Sequence, residues 1–270
     1  MPISEVEIVA TIREPAVAGM FYPDDPLLLQ QQLESFLRDK EPDADHPKAL
    51  IVPHAGYIYS GPIAASAYRL LLNMRGRIER VVLLGPAHRV AFQGLAATSA
   101  EYFSTPLGLV RIDQPAMDAI LVLPQVRVMD EAHREEHSLE VQLPFLQSVL
   151  GADFSLIPLV VGEADSDSVA EVIETLWGDR ETLILISSDL SHYQDYHTAQ
   201  RLDSATSRAI EQLNPQAIDY QQACGRNPVN GLLLAAQHHK LHAKTLDLRN
   251  SGDTAGSRDR VVGYGAYAFI

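Results

Sequence analysis

Short, unbroken apolar runs punctuate this chain, and longer stretches with helical spacing separate them. Residues 49–52 (Ala-Leu-Ile-Val), 80–84 (Arg-Val-Val-Leu-Leu), 154–161 (Phe-Ser-Leu-Ile-Pro-Leu-Val-Val) and 182–186 (Thr-Leu-Ile-Leu-Ile) are of strand length and do not alternate with polar residues. That pattern predicts strands buried on both faces, as in a mostly parallel sheet between layers of helices. Residues 26–38 open with Pro26 and carry Leu29, Leu33, Phe36 and Leu37 at helical spacing, which predicts a first helix. Further helices are expected over 62–74, 114–122, 138–149, 165–177, 199–213 and 228–240. Residues 261–270 alternate with small residues and read as a late strand able to run antiparallel. The stretch 39–48 is charged, holds two prolines and reads as a connection from first helix to first core strand. Strands alternating with helices throughout predict a single three-layer α/β domain over residues 1–270, its central sheet mixed but mostly parallel.

Composition narrows the class. With 270 residues, 46% of them hydrophobic and 21% charged, the chain can bury a large core without covalent staples. Its net charge of −14 argues against a general nucleic-acid or anionic-membrane binder, though not against a local basic pocket. One cysteine, Cys224, forbids an intramolecular disulfide and fits a reducing compartment. The acidic start lacks a secretory pattern, and the apolar runs fall far short of the ~18 residues of a membrane helix. A soluble cytoplasmic protein is expected.

The histidines are placed in a way that points to chemistry. His54 follows the first apolar run in Pro53-His-Ala-Gly-Tyr57, and His88 follows the second in Gly85-Pro-Ala-His88. Asp189 and His192 follow the run ending at Ile186, in Ser187-Ser-Asp-Leu-Ser-His-Tyr193. If these strands are parallel, the three segments leave the sheet at one edge, where open α/β sheets bind ligands. Gly56, Gly61 and Gly85 permit tight turns or close approach, and Pro53 and Pro86 stiffen the loops. A helical His-Glu-x-x-His zinc motif is absent.

Two further segments offer candidates. His137 precedes an apolar-periodic stretch for which Ser138 can be the N-cap; Glu135, Glu136 and Glu140 then read either as first-turn acids or as neighbours of a His137 that serves the site. Cys224 falls in a turn between two helices; it is either a buried inert thiol or, beside Gly225, Arg226 and a helix start, a thiolate of depressed pKa that ligates a soft metal. His238, His239 and His242 read as the wet end of a helix, where no metal site is expected.

These segments together resemble the Memo family (mediator of cell motility). The resemblance rests on Pro53-His-Ala-Gly-Tyr-Ile-Tyr-Ser-Gly61, Leu84-Gly-Pro-Ala-His88, Glu136-His-Ser-Leu-Glu140, Gln142-Leu-Pro-Phe145, Ser187-Ser-Asp-Leu-Ser-His-Tyr193 and Cys224-Gly-Arg-Asn-Pro228. Arg13-Glu-Pro-Ala-Val-Ala-Gly-Met-Phe-Tyr-Pro23 and Val261-Val-Gly-Tyr-Gly265 extend it from about residue 13 to the end. The chain is similar as well to the Memo-like component B of the AmmeMemoRadiSam system. The resemblance implies a fold like that of class III extradiol dioxygenases, which hold non-haem iron(II) with two His and a carboxylate. It also implies metal ligands at His54, His88 and Cys224, with Asp189 and His192 completing the pocket and His137 near it. Cys224 thus stands where the dioxygenases have a carboxylate, and a thiolate admits zinc or copper as well as Fe(II). Animal relatives are associated with phosphotyrosine peptides and with metal-dependent redox activity; the system name implies Amme-type and radical-SAM proteins as partners.

Three function classes follow. The first is a metal-dependent redox or dioxygenase-like enzyme acting on an unknown small substrate, with His192 moving a proton, Asp189 either ligating or orienting a histidine, and His137 assisting. The second is a non-catalytic module that recognises a peptide or small anionic ligand through protonated His and Arg. The third is hydrolysis at a zinc centre, with Asp189 activating water.

Overall fold

The computed structural model describes residues 10–38 and 46–270; the N-terminal stretch examined for a targeting signal and residues 39–45 of the expected connection lie outside them. In chain order the elements are β1 (Ile12–Arg13), α1 (Pro26–Leu37), β2 (Ala49–Val52), α2 (Tyr57–Tyr68), β3 (Arg80–Pro86), β4 (Leu95–Ala97), β5 (Tyr102–Thr105), β6 (Gly108–Ile112), α3 (Gln114–Ile120), β7 (Val126–Val128) and α4 (Asp130–Arg134). They continue with α5 (Leu143–Leu150), β8 (Ser155–Val161), α6 (Ser166–Thr175), β9 (Thr182–Ser187), β10 (His192–Gln194), α7 (Tyr196–Glu211), α8 (Arg226–His238), β11 (Ala243–Asn250) and β12 (Val261–Phe269).

The apolar runs form the centre of the sheet. Along β8-β3-β9-β2 every pairing is parallel, with Pro86 opposite Val161, Leu84 opposite Ile186 and Val52 opposite Ser187. This register brings the carboxyl ends of β2, β3 and β9 to one level, so the loops carrying His54, His88 and Asp189 leave the sheet side by side. β12 closes this side antiparallel to β2, as its small-residue alternation allowed, and pairs antiparallel with β10 and β11. The sheet is therefore mixed with a parallel core. Every residue of β2, β8 and β9 is buried, which requires cover on both faces. Helices α1, α2 and α5 pack together, α6 packs on α8, and α8 lies on β3 and β9. One continuous apolar core unites the described residues.

Local chemistry sets the helix starts. Asp25, Asp165 and Asp195 cap α1, α6 and α7 by accepting hydrogen bonds from the first-turn amides. The helix expected over 62–74 instead spans Tyr57–Tyr68 and tightens into a 3₁₀ turn at Arg69–Leu71. Gly61-Pro62 reads as a boundary in sequence, yet the helix runs through Pro62, and burial almost all round erases its amphipathic period. The helix expected over 138–149 begins as a 3₁₀ turn at Glu140–Gln142, and Ser138 is not its N-cap: its hydroxyl donates to the Pro86 carbonyl at 2.9 Å. Strands β1, β4 to β7, β10 and β11 are additions to the expected set. They are short or, like β11, partly exposed and polar, so no apolar run announces them.

Candidate metal centre

His54 is 2% exposed and lies two residues beyond β2, in the short loop that leads into α2. Its backbone N–H donates to Asp189 Oδ1 at 2.7 Å, which fixes the loop from the neighbouring strand. The side chain is fixed by a chain of hydroxyl and amide groups. Ser187 Oγ donates its one proton to the Ser138 carbonyl at 2.5 Å and accepts from Gln142 Nε2 at 2.8 Å. Against His54 Nδ1, 2.9 Å away, that oxygen can only accept. The proton of the neutral ring therefore sits on Nδ1, and Nε2 keeps a bare lone pair. Nε2 faces Cys224 Sγ at 3.4 Å.

His88 is held the same way by a different group. Glu136 is 2% exposed, and its carboxylate accepts from the His88 backbone N–H at 2.6 Å and from His88 Nδ1 at 2.8 Å. Burial alone would raise the Glu136 pKa. The His88 side-chain bond and charge, and the amides of His88 and Ser138, outweigh burial and bring it down to about 2. A carboxylate that stays ionised can only accept, so His88 too carries a proton on Nδ1 and turns Nε2 away from Glu136. Glu136 is thus neither a first-turn acid of α5 nor a direct donor to the centre; it orients a histidine.

Cys224 arrives from the turn before α8. Gly225 lets that turn press onto the end of β9: a Cβ there would stand 2.7 Å from Ser188 Cβ and 3.0 Å from the Ser187 carbonyl. The thiol does not have the depressed pKa its position beside Arg226 suggested. Burial pushes it up, the charge of Asp189 pushes it further, and the Arg226 guanidinium points away to Glu163 at 3.1 Å. Without a cation the group stays a thiol.

His54, His88 and Cys224 each offer a donor atom, and these atoms lie within 4.8 Å of one another. The rings of His54 and His88 are 5.1 Å apart at 75°. A second overlapping set joins His88, Glu136 and His137, the His137 ring stacking on His88 at 4.7 Å. Burial lowers His54 well below the usual imidazole range, with the facing charges of His88, His137 and His192 adding to it. Burial likewise brings His137 down to about 4. Neutral imidazoles with bare nitrogens suit a cation, not an anion.

The remaining expected residues take other positions. Asp189 is spent on the His54 amide and is absent from the donor cluster. Burial raises its pKa against the charges of His192 and His88 and the amides of His54 and Ala55. His192 lies close enough to act electrostatically on both His54 and Asp189, its Nδ1 fixed by the Leu190 carbonyl at 2.8 Å. Sequence reasoning missed Ser187, Gln142 and the orienting role of Glu136, because they act through another side chain. The motifs contained all three, but nothing in the spacing separates them from core polar residues. A cleft of about 450 Å³ opens beside Cys224, walled by Val90, Phe92, Gln93, Glu163, Tyr220 and Asn227.

Fold and site define an α/β protein with a two-histidine, one-cysteine cluster at the carboxyl edge of a parallel sheet core. The family model described as Memo-like protein matches residues 13–268, and the chain belongs to that family. A MEMO1 family protein of Aquifex aeolicus is 37% identical, the match covering 96% of this chain and 99% of that one. One from Saccharolobus solfataricus is 35% identical over 95% and 99% of the two chains. A crystal structure of an uncharacterized Escherichia coli K12 protein aligns with a TM-score of 0.48 at 13% identity, covering 80% of this chain and 98% of that one. No helix among the described residues is long and apolar enough to cross a membrane.

Proposed function

We propose that this chain is a metalloprotein whose ion is held by His54 Nε2, His88 Nε2 and Cys224 Sγ, and that it performs metal-dependent redox or dioxygenase-like chemistry on a small substrate. One observation carries the reading: both imidazoles have Nδ1 committed to partners of fixed hydrogen-bonding role, Ser187 and Glu136, and a donor atom of each ring lies with the thiol in one cluster. The donor set fits a borderline divalent ion such as Fe(II), and zinc or copper by the same chemistry. Bound by three protein donors, such an ion would supply open coordination positions and, for Fe(II), a one-electron couple.

The protein's own groups do the rest. Cys224 gives up its proton on ligation, and His54, held neutral by burial, need give up none. His192, its Nδ1–H held by the Leu190 carbonyl, presents its other nitrogen as a proton acceptor beside the centre. Asp189 holds the His54 loop in place. The cleft beside Cys224, apolar at Ala87, Val90, Phe92 and Pro228 and polar at Gln93, Glu163 and Asn227, suits a small molecule with both an apolar body and polar substituents. Recognition of an anionic ligand or peptide by protonated histidines is disfavoured by the depressed pKa values of His54 and His137. Amme-type and radical-SAM proteins remain the partners that the family resemblance suggests.

The test is anaerobic loading with one equivalent of Fe(II), followed by X-ray absorption at the iron edge. A sulfur scatterer at ~2.3 Å together with imidazole nitrogens supports the reading. A shell of nitrogen and oxygen alone, or no tight iron, overturns it.

A further inference from the structure

A second group of donors lies outside the site just described, where the ends of two helices meet. Glu174 is in the last turn of α6, His238 is the last residue of α8, and His239 caps it. Helices α6 and α8 are closely packed, a Cβ on Gly231 falling only 2.4 Å from Val169. The Glu174 carboxylate takes His238 Nδ1 at 2.9 Å on one oxygen and His239 Nε2 at 2.8 Å on the other. All three donor atoms lie within 4.8 Å of one another. His239 is further held by the ring of Trp177, stacked at 3.8 Å and 7°. Viewed along the chain, His238 and His239 form only the wet end of a helix, because their carboxylate partner is supplied by another helix.

We propose that Glu174, His238 and His239 form a second, surface binding site for a borderline divalent cation of the zinc, nickel or copper class. Imidazole nitrogens select those ions. The site lies at the carbonyl ends of two helices, where the backbone dipoles favour positive charge. Each imidazole already directs a nitrogen at the shared carboxylate, so a cation can take the place of the bridging N–H protons, each neutral ring keeping its proton on the nitrogen turned away. His238, whose side chain is 74% exposed, can close the remaining distance; His239 and Glu174, at 30% and 31%, are held more firmly. The Lys48 ammonium, 5.1 Å from the Trp177 ring, is occupied by the backbone carbonyls of Trp177, Asp179 and Thr182. A cation here clips α6 to α8, the helix that starts immediately after Cys224.

Trp177 is the only tryptophan in the chain and stacks on a proposed ligand, so it reports occupancy directly. Ni(II), a quencher of indole emission, is titrated into the full-length protein near neutral pH. The expected result is saturable quenching with the same midpoint in wild type and in Cys224→Ser. The midpoint should rise by roughly tenfold or more in His238→Ala and in Glu174→Gln, neither of which touches the indole. Melting temperature should rise with Ni(II) in Cys224→Ser and stay flat in the double variant Cys224→Ser/His238→Ala. Quenching only at millimolar Ni(II), quenching indifferent to His238→Ala, or quenching lost in Cys224→Ser would each overturn the proposal. Quenching lost in Cys224→Ser would place the ion at the His54 centre instead; the other outcomes leave that centre untouched.

Discussion

One hydroxyl proton decides which nitrogen of His54 is bare, and that proton belongs to Ser187. Its acceptor is the Ser138 carbonyl, 2.5 Å away, and Gln142 occupies one of its lone pairs. Ser187→Ala removes the acceptor for His54 Nδ1–H. The ring is then free to take the other tautomer, which blunts Nε2, and Fe(II) affinity should fall by about 10- to 100-fold with the fold intact. Cys224→Ser should weaken affinity at least as much, since a hydroxyl does not deprotonate as readily as a thiol. Isothermal titration under anaerobic conditions reads both; affinities equal to wild type would make the two residues bystanders. A different histidine governs the pH profile of folding. His133, 2% exposed, has its pKa brought down to about 4 by burial, with the Arg13 charge adding and the Ala96 carbonyl opposing. Its unfolded value is ~6.5, so between about 6.5 and 4 the unfolded chain binds more protons. The stabilisation is present above that window and is lost as pH falls through it, on the order of 3 kcal/mol. Urea unfolding at stepped pH should show a shallower slope in His133→Gln by about one proton; an unchanged slope would place the titration elsewhere.

Strand ends explain what could be read along the chain and what could not. His54, His88, Asp189 and His192 stand out because each follows an apolar run whose length and lack of alternation mark a buried parallel strand. Cys224 follows no strand; a turn between helices delivers it, so spacing alone left it open and only the likeness to a family singled it out. Glu136 reads as a helix-start acid until the structure shows the helix beginning later, at Leu143, behind a 3₁₀ turn. Glu174 could not be read at all, because its histidines lie 64 and 65 residues away on another helix. The turn that brings in Cys224 depends on Gly225, which has no room for a side chain against Ser188 and the Ser187 carbonyl. Gly225→Ala should cost about 1–3 kcal/mol by overpacking. It should also weaken metal binding by moving the sulfur. Gly231→Ala, equally crowded against Val169 but further along α8, is the control. It should lose comparable stability while Fe(II) affinity at the centre holds. Equal effects of both variants on affinity would mean that the position of α8 as a whole, not the Cys224 turn, sets the site.

On the scale of the whole molecule, the segment before α1 acts as a strap across the site. Glu140, with its side chain fully buried, accepts the amides of Ala16 and Val17 at 2.7 and 2.9 Å, the Tyr22 hydroxyl at 2.6 Å and the Arg13 guanidinium. Arg13 in turn donates to the carbonyls of His133 and Glu136 at 2.9 and 2.7 Å. Phe21 lies against the His137 ring at 4.8 Å, and its carbonyl accepts the Tyr57 amide at the start of α2. The buried ion pair therefore ties the strap to the segment that orients His88, and the Phe21 carbonyl ties it to the loop that carries His54. A pair so deeply buried adds little net stability over an apolar equivalent, but losing one charge leaves the other uncompensated. Glu140→Gln keeps the shape, strands the Arg13 charge and turns an amide N–H₂ toward donors. Chemical denaturation should show a loss of about 3–5 kcal/mol. Because the strap also supports the segments around Glu136 and His54, Fe(II) affinity measured well below the melting temperature should fall as well, and hydrogen exchange should quicken at Ala16, Val17 and Tyr57. Lost stability with affinity and exchange unchanged would confine the pair to the core and leave the centre independent of the strap.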